Sequence, residues 1–165
     1  PPWSFGWNMS LAHGKAYAVC AMLRDLLGAE RYQAVIRKLI AERAGTLIQQ
    51  SDLIAACEAA LGERLDWFAA DWIDGRTTLD YAITGVETTA MGCDVAVARI
   101  GTGRFPVLVE ATTAIGESLR QRVDRTKPSD TLHFKTAGVL KTVRIDPDRI
   151  YPDLNETNNV WKAAK

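Results

Sequence analysis

Cysteine is scarce in this sequence, and what there is lacks a pattern. Cys20, Cys57 and Cys93 are three thiols among 165 residues. An odd number with no Cys-x-x-Cys spacing suggests neither a disulfide framework nor a cysteine-built structural zinc site. Cys20 and Cys57 fall on apolar helical stripes and are expected to be buried thiols. Cysteine usage leaves the compartment open. An excess of charge of either sign is also missing: 20 Lys and Arg balance 20 Asp and Glu. The whole-chain balance therefore predicts neither nucleic-acid binding nor attraction to a membrane surface. No apolar run approaches the roughly 18 residues that a membrane-spanning helix needs. The sequence opens on Pro1 and Pro2 without a start methionine, basic n-region or apolar h-region. That is the pattern expected of a piece of a longer protein. No internal repeat or low-complexity stretch is visible.

What is present suits a packed core. Hydrophobic residues make up 47% and charged residues 24%, an ordinary balance for one globular domain or two small packed subdomains. The first half has helical period. From Met9 to Leu27, Ala12, Ala16, Val19, Cys20, Leu23, Leu26 and Leu27 recur at spacings of three and four, one face of a helix, and Gly28 stops it. Tyr32, Val35, Ile36, Leu39 and Ile40 form the next stripe, with Glu30 at the positive end of the dipole, and Gly45 ends it. Ser51 is the expected N-cap of a third helix carrying Leu53, Ile54, Cys57 and Leu61 and ending at Gly62. A short fourth helix over about 65–73 holds Trp67, Phe68 and Trp72, aromatics expected to pack rather than bind.

From Thr77 the period changes to two. Leu79, Tyr81 and Ile83 alternate with polar or small residues. So do Val95 and Val97, Val107 and Val109, Leu119 and Val123 about Gln121, Leu132 and Phe134, and Val143 and Ile145. Gly92, Gly101-Thr102-Gly103, Gly116, Pro128 and Gly138 punctuate these runs, and Gly101-Thr102-Gly103 is expected to be a hairpin turn. Short strands with turn signals at this spacing predict an antiparallel sandwich. The tail, 146–165, is expected to be extended or loop-like. Helices first and strands second predict an α+β chain: an N-terminal bundle of about four helices over 1–76, then a small antiparallel Ig-like β-sandwich over 77–165.

Specific residues add a resemblance. His13-Gly14-Lys15-Ala16-Tyr17 followed by Met22-Leu23-Arg24-Asp25-Leu26-Leu27-Gly28-Ala29-Glu30 resembles the segment downstream of the zinc site in M1-family, aminopeptidase N-like metallopeptidases. That segment reads Tyr-x-Lys-Gly, a helix, then Leu-Leu-Gly and an acidic helix start. Ser51-Asp52-Leu53, Glu58, Gly62, Leu65, Phe68 and Trp72 resemble the family's next helices. Val97, Arg99, Gly101, Phe105-Pro106-Val107, Ile145-Asp146-Pro147-Asp148, Asp153, Asn155 and Asn158-Asn159 resemble the small sandwich that closes many bacterial members. The resemblance runs over nearly the whole sequence. It implies that 1–76 is the helical C-terminal part of a peptidase catalytic domain, with peptide as the substrate of the parent protein.

The family's chemistry needs zinc held by two His and one Glu, with a second Glu as general base. The His pair and the base come from one His-Glu-x-x-His helix, because residues i and i+4 share a face. His13 and His133 are the two histidines here, and neither is followed by Glu. The fragment is therefore expected to bind no cofactor and not to be catalytic by itself, with zinc in the parent, upstream of Pro1. His13 stands where the family has the tyrosine that stabilises the oxyanion. It is the candidate catalytic residue, since a histidine also donates hydrogen bonds. The same departure keeps a second function open, a structural or interaction module of an M1-like pseudoenzyme. A more distant third is a free-standing sandwich that binds a partner strand to strand. Ala16 replaces the motif's glycine, and Tyr17 is expected to pack.

The expected partners are the upstream zinc-bearing half and a second copy, docked through a helical face that half would otherwise cover. Three further features receive structural readings. The oxygens of Asp146, Asp148, Asp153 and Asn155 do not have EF-hand spacing and are expected to serve turns. The alternating charges Arg120, Arg122 and Asp124-Arg125 are expected to form a solvated face. No Ser/His/Asp set has the nucleophile-elbow motif.

Overall fold

The computed structural model describes residues 14–89 and 91–164, and the chain separates into two compact units, Pro1–Gly75 and Arg76–Lys165. Helices fill the first and antiparallel strands the second, an α+β chain as the change of period predicts. No described helix is long and apolar enough to cross a membrane.

In the first unit, α1 (Ala16–Leu27) buries Met22, Leu23 and Leu27. Gly28, at φ 81°, separates it from α2 (Ala29–Glu42), which buries Val35 and Leu39. A left-handed φ is cheap only for glycine, so the break is sharp. The third helix, α3 (Gln50–Leu61), starts earlier than expected. Gln49, not Ser51, is its N-cap: the Gln49 side chain accepts from the backbone of the third residue, and Asp52 accepts from the Gln49 N–H at 2.8 Å. This is a capping box with glutamine in the place usually held by Ser or Thr. Of the predicted α3 stripe, Cys57 alone is fully buried, while Leu53, Ile54 and Leu61 are half-buried. One helical turn, α4 (Asp66–Phe68), runs straight into a π-helical segment, Ala69–Asp74. Phe68 and Trp72 are buried there, and Trp67 stands edge-on to Phe68 with ring centroids 5.6 Å apart. These aromatics pack, as expected. Tyr17 does not, being 73% exposed.

The second unit is a sandwich of seven described strands: β1 (Tyr81–Thr89), β2 (Gly92–Arg99), β3 (Leu108–Thr113), β4 (Ser118–Arg122), β5 (Ser129–Lys135), β6 (Leu140–Ile145) and β7 (Val160–Lys162). One sheet has the order β1-β2-β5 and the other β4-β3-β6-β7, with every neighbouring pair antiparallel. The crossed connections are those of a Greek-key sandwich, with β4 beside β3. Alternation becomes burial directly. Val95 and Val97 from one sheet and Val109, Ala111, Val143 and Ile145 from the other are almost wholly buried. Burying a valine or isoleucine side chain stabilises by about 1.5–3 kcal/mol. Phe105, just before β3, is fully buried against Tyr151 with ring centroids 5.0 Å apart, and the Tyr81 hydroxyl donates to the Phe105 carbonyl at 2.9 Å.

Two expectations change here. Gly101-Thr102-Gly103 is not a hairpin turn, because β2 and β3 lie in different sheets. The segment crosses between sheets and docks on 78–80: the Gly101 amide donates to Asp80 O and the Gly103 amide to Thr78 O, both at 2.9 Å. A Cβ at Gly101 would run into the Thr78 carbonyl. The tail is also more structured than expected. A 3₁₀ turn, Glu156–Asn158, leads into β7, whose Val160, Trp161 and Lys162 pair with Arg144, Val143 and Thr142.

Candidate functional site

The predicted oxyanion donor, His13, lies outside the described residues. Two positions later, Lys15 is defined. Its ammonium donates to the carbonyls of Ile73 at 2.6 Å and Gly75 at 3.1 Å. These carbonyls sit at the C-terminal end of the π segment, where backbone oxygens lack helical partners and the dipole favours a cation. Gly75 permits this arrangement, because a Cβ there would press on the Ala70 and Asp71 carbonyls. The lysine of the quoted motif is thus a staple joining the start of α1 to the chain 60 residues later.

Beside the staple lies an apolar groove of about 270 Å³ lined by Lys15, Val19, Cys20, Leu53, Trp72 and Ile73. Trp72 supplies its aromatic wall, and π segments recur at functional sites. The groove offers shape and apolar surface rather than acid or base. Deeper in the unit, Cys57 is fully buried, and burial followed by the charge of Cys20 pushes its thiol up to about 11. Burial also raises the Tyr32 hydroxyl, reinforced by its hydrogen bond to Cys20 and by the charges of Cys20 and Cys57. In the sandwich the Cys93 thiol is raised by burial and then by Asp94. Thiols held protonated are poor nucleophiles and poor metal ligands. Among the described residues no group of three or more His, Cys, Asp or Glu could hold a metal ion. The described side chains therefore do not fit a zinc site, and no metal-dependent step follows from them.

The sandwich residues singled out in the sequence serve structure. Asp146, at φ 52°, accepts the amides of Ile150 and Tyr151, both at 2.8 Å. Asp153 accepts the Tyr81 amide at 3.1 Å and the Asn155 amide at 2.9 Å, and Asn155 accepts the Thr157 amide. Asp148 pairs with Arg120, which also binds Glu110, both at 2.8 Å. Asp146, Asp153 and Asn155 serve the local backbone, as expected, and Asp148, itself in a turn, also joins this surface ion network. His133 Nδ1–H donates to Asp94 Oδ1, 2.8 Å away, on the exposed face of the β2–β5 pair.

Sequence reasoning missed the Lys15 staple and the π segment. For the staple the only available signal was a lysine at the start of a helix in a motif. For the π segment there was none, since aromatic composition does not set helical pitch.

The chain matches no protein-family model and no curated protein sequence. Its structure is similar to that of Legionella pneumophila aminopeptidase A in complex with aspartic acid, with a TM-score of 0.59 and 16% sequence identity. The likeness covers 76% of this chain and 15% of that one, so this chain spans a small part of that protein's length. At this identity the similarity is one of fold. Part of this chain shares its fold with a part of that aminopeptidase.

Proposed function

We propose that this chain is the C-terminal region of an M1-like zinc metallopeptidase, contributing the helical wall of the substrate cleft and the closing sandwich. In this reading the zinc site belongs to an upstream half of the same protein, and that half and the peptide substrate are its partners. The observation that carries the reading is the agreement of two independent lines. The motif order from Lys15 to Trp72 resembles that family, and a fold likeness to an aminopeptidase covers 76% of the chain. The Lys15 staple gives the motif a physical purpose: it fixes the start of α1, two residues after His13.

His13 favours a second reading, a non-catalytic module in a parent that has lost activity, because the family's oxyanion donor is replaced. The test is to read the coding sequence upstream of Pro1 and to measure zinc and peptide hydrolysis on the full-length chain. An intact His-Glu-x-x-His with about one zinc per chain and hydrolytic turnover supports the first reading. His13→Phe should then lower kcat by roughly a hundredfold or more, the usual effect of removing an oxyanion donor. A degraded motif without zinc supports the second reading. Unrelated upstream sequence overturns both.

A further inference from the structure

On another side of the helical unit, α2 and α3 enclose an open groove of about 500 Å³. One wall is the α2 face of Arg31, Val35, Lys38 and Glu42, spaced four, three and four residues apart as on a single helical seam. The other wall carries Ala55 and Ala59, short enough for another helix to approach closely. Apolar surface lines the groove between the charges: Ala34, Val35 and Leu39 on α2 and Ala56 and Ala60 on α3.

The same Glu-Arg order stands at both ends of α2. Glu30-Arg31 opens the helix and Glu42-Arg43 closes it. Place a second α2 antiparallel on the first, with the two-fold axis between Ile36 and Arg37. Arg31 then faces Glu42 of the other copy, Glu42 faces the other copy's Arg31 by symmetry, and Val35 lies under the aliphatic stem of Lys38. Both ends match in sign simultaneously, as an isologous interface requires. Glu30 and Arg31 have no ion-pair partner among the described residues. Arg31 and Glu42 cannot pair within one copy, being about 16 Å apart along the helix axis. At the far end Lys38 reaches Glu42 at 3.7 Å, so the acceptor carboxylate is already ordered, while Arg43 is engaged by Asp52 of its own copy.

We propose that the α2–α3 groove is a homodimer interface, occupied by the same groove of a second copy with the two α2 helices antiparallel. The inference does not rest on the peptidase reading: an active parent, an inactive one or the chain by itself would pair in the same way.

The test is sedimentation equilibrium of the 165-residue chain up to about 1 mM, where even weak association shows. A monomer–dimer equilibrium is expected. Arg31→Glu and Glu42→Arg each convert two symmetry-related attractions into repulsions and should raise the dissociation constant about tenfold. The double variant R31E/E42R restores both pairs across the interface and should bring the constant back to within about threefold of the original. Only an antiparallel self-pairing predicts that rescue. Ala59→Arg, at an exposed position in the groove, should give a monomer with unchanged far-ultraviolet circular dichroism. A monomer throughout the range overturns the proposal. So does a dimer indifferent to the single reversals, or a double variant as weak as the singles.

Discussion

The two units solve the same problem to different degrees. The sandwich buries its apolar residues against itself: both sheets contribute side chains with almost no exposure, and Phe105, Val107 and Val109 are fully buried where the chain enters β3. The helical unit is less closed. α3 fully buries Cys57 alone, an apolar groove stays open beside Trp72, and a second groove separates α2 from α3. An interior sealed on all sides is specified by its own residues. An amphipathic helix that leaves apolar surface in the open has been shaped for something to lie against it. The contrast teaches where to look for function: in the helices, with the sandwich as the self-sufficient part.

The sharpest way to break the comparison is through two glycines. Gly92 sits at φ 147° with no room for a Cβ, which would run into the Phe134 carbonyl on the paired strand. Gly92→Ala should cost about 4 kcal/mol or more, because neither backbone can move without opening the β2–β5 ladder. In the helical unit Gly62 also has a positive φ, 78°, but open space around it. Gly62→Ala should cost only about 1 kcal/mol. Urea unfolding of both variants checks this, and equal losses would mean that the sandwich is no more tightly determined than the helices.

Alkaline pH should act on the helical unit next. The folded Cys57 thiol sits at about 11 against an ordinary 9.0. Between these values the unfolded chain gives up a proton that the folded chain keeps, so stability falls as pH rises from about 9 to about 11. Below 9 the contribution is constant. The Tyr32 hydroxyl is shifted in the same direction and adds to the loss above its ordinary range. Thermal melts across this window, compared with Cys57→Ala, check the assignment: the slope should flatten in the variant. The smallest effect is expected for Lys15→Met. It removes two hydrogen bonds at an exposed position and should cost about 1 kcal/mol by denaturant unfolding, with a larger loss of protection from hydrogen exchange at Gly75 than elsewhere.

How much of this was legible follows from the range over which each feature is encoded. The α-then-β order was readable because it rests on period: β3 and β6 alternate buried and less buried residues along their length, and α2 places Val35 and Leu39 on one stripe. β7 was not readable, since three residues hold no period and the strand exists through its pairing with β6. Gly101 reads as a turn glycine, and only the distribution of β2 and β3 between two sheets makes it a crossover. The α3 cap shifted because glutamine is a rare capping residue, so Ser51 drew the assignment. At the candidate site, Lys15 was visible as part of a motif but its acceptors were not. Ile73 and Gly75 offer backbone oxygens, which any sequence has.

Along one flank of the sandwich, side chains close the gap between its two sheets. The Gln121 amide of β4 donates to the His133 carbonyl of β5 at 2.7 Å, the Asp124 amide donates to Asp130, and the Thr136 hydroxyl donates to Glu117. An outer strand with free carbonyls is a template on which another polypeptide can crystallise, the first step toward fibrils. Here an outward carbonyl of β5, that of His133, is already spoken for by a neutral amide. A visiting strand would have to evict it before gaining its first hydrogen bond, so this flank resists templating even at the concentrations where the helices would find one another.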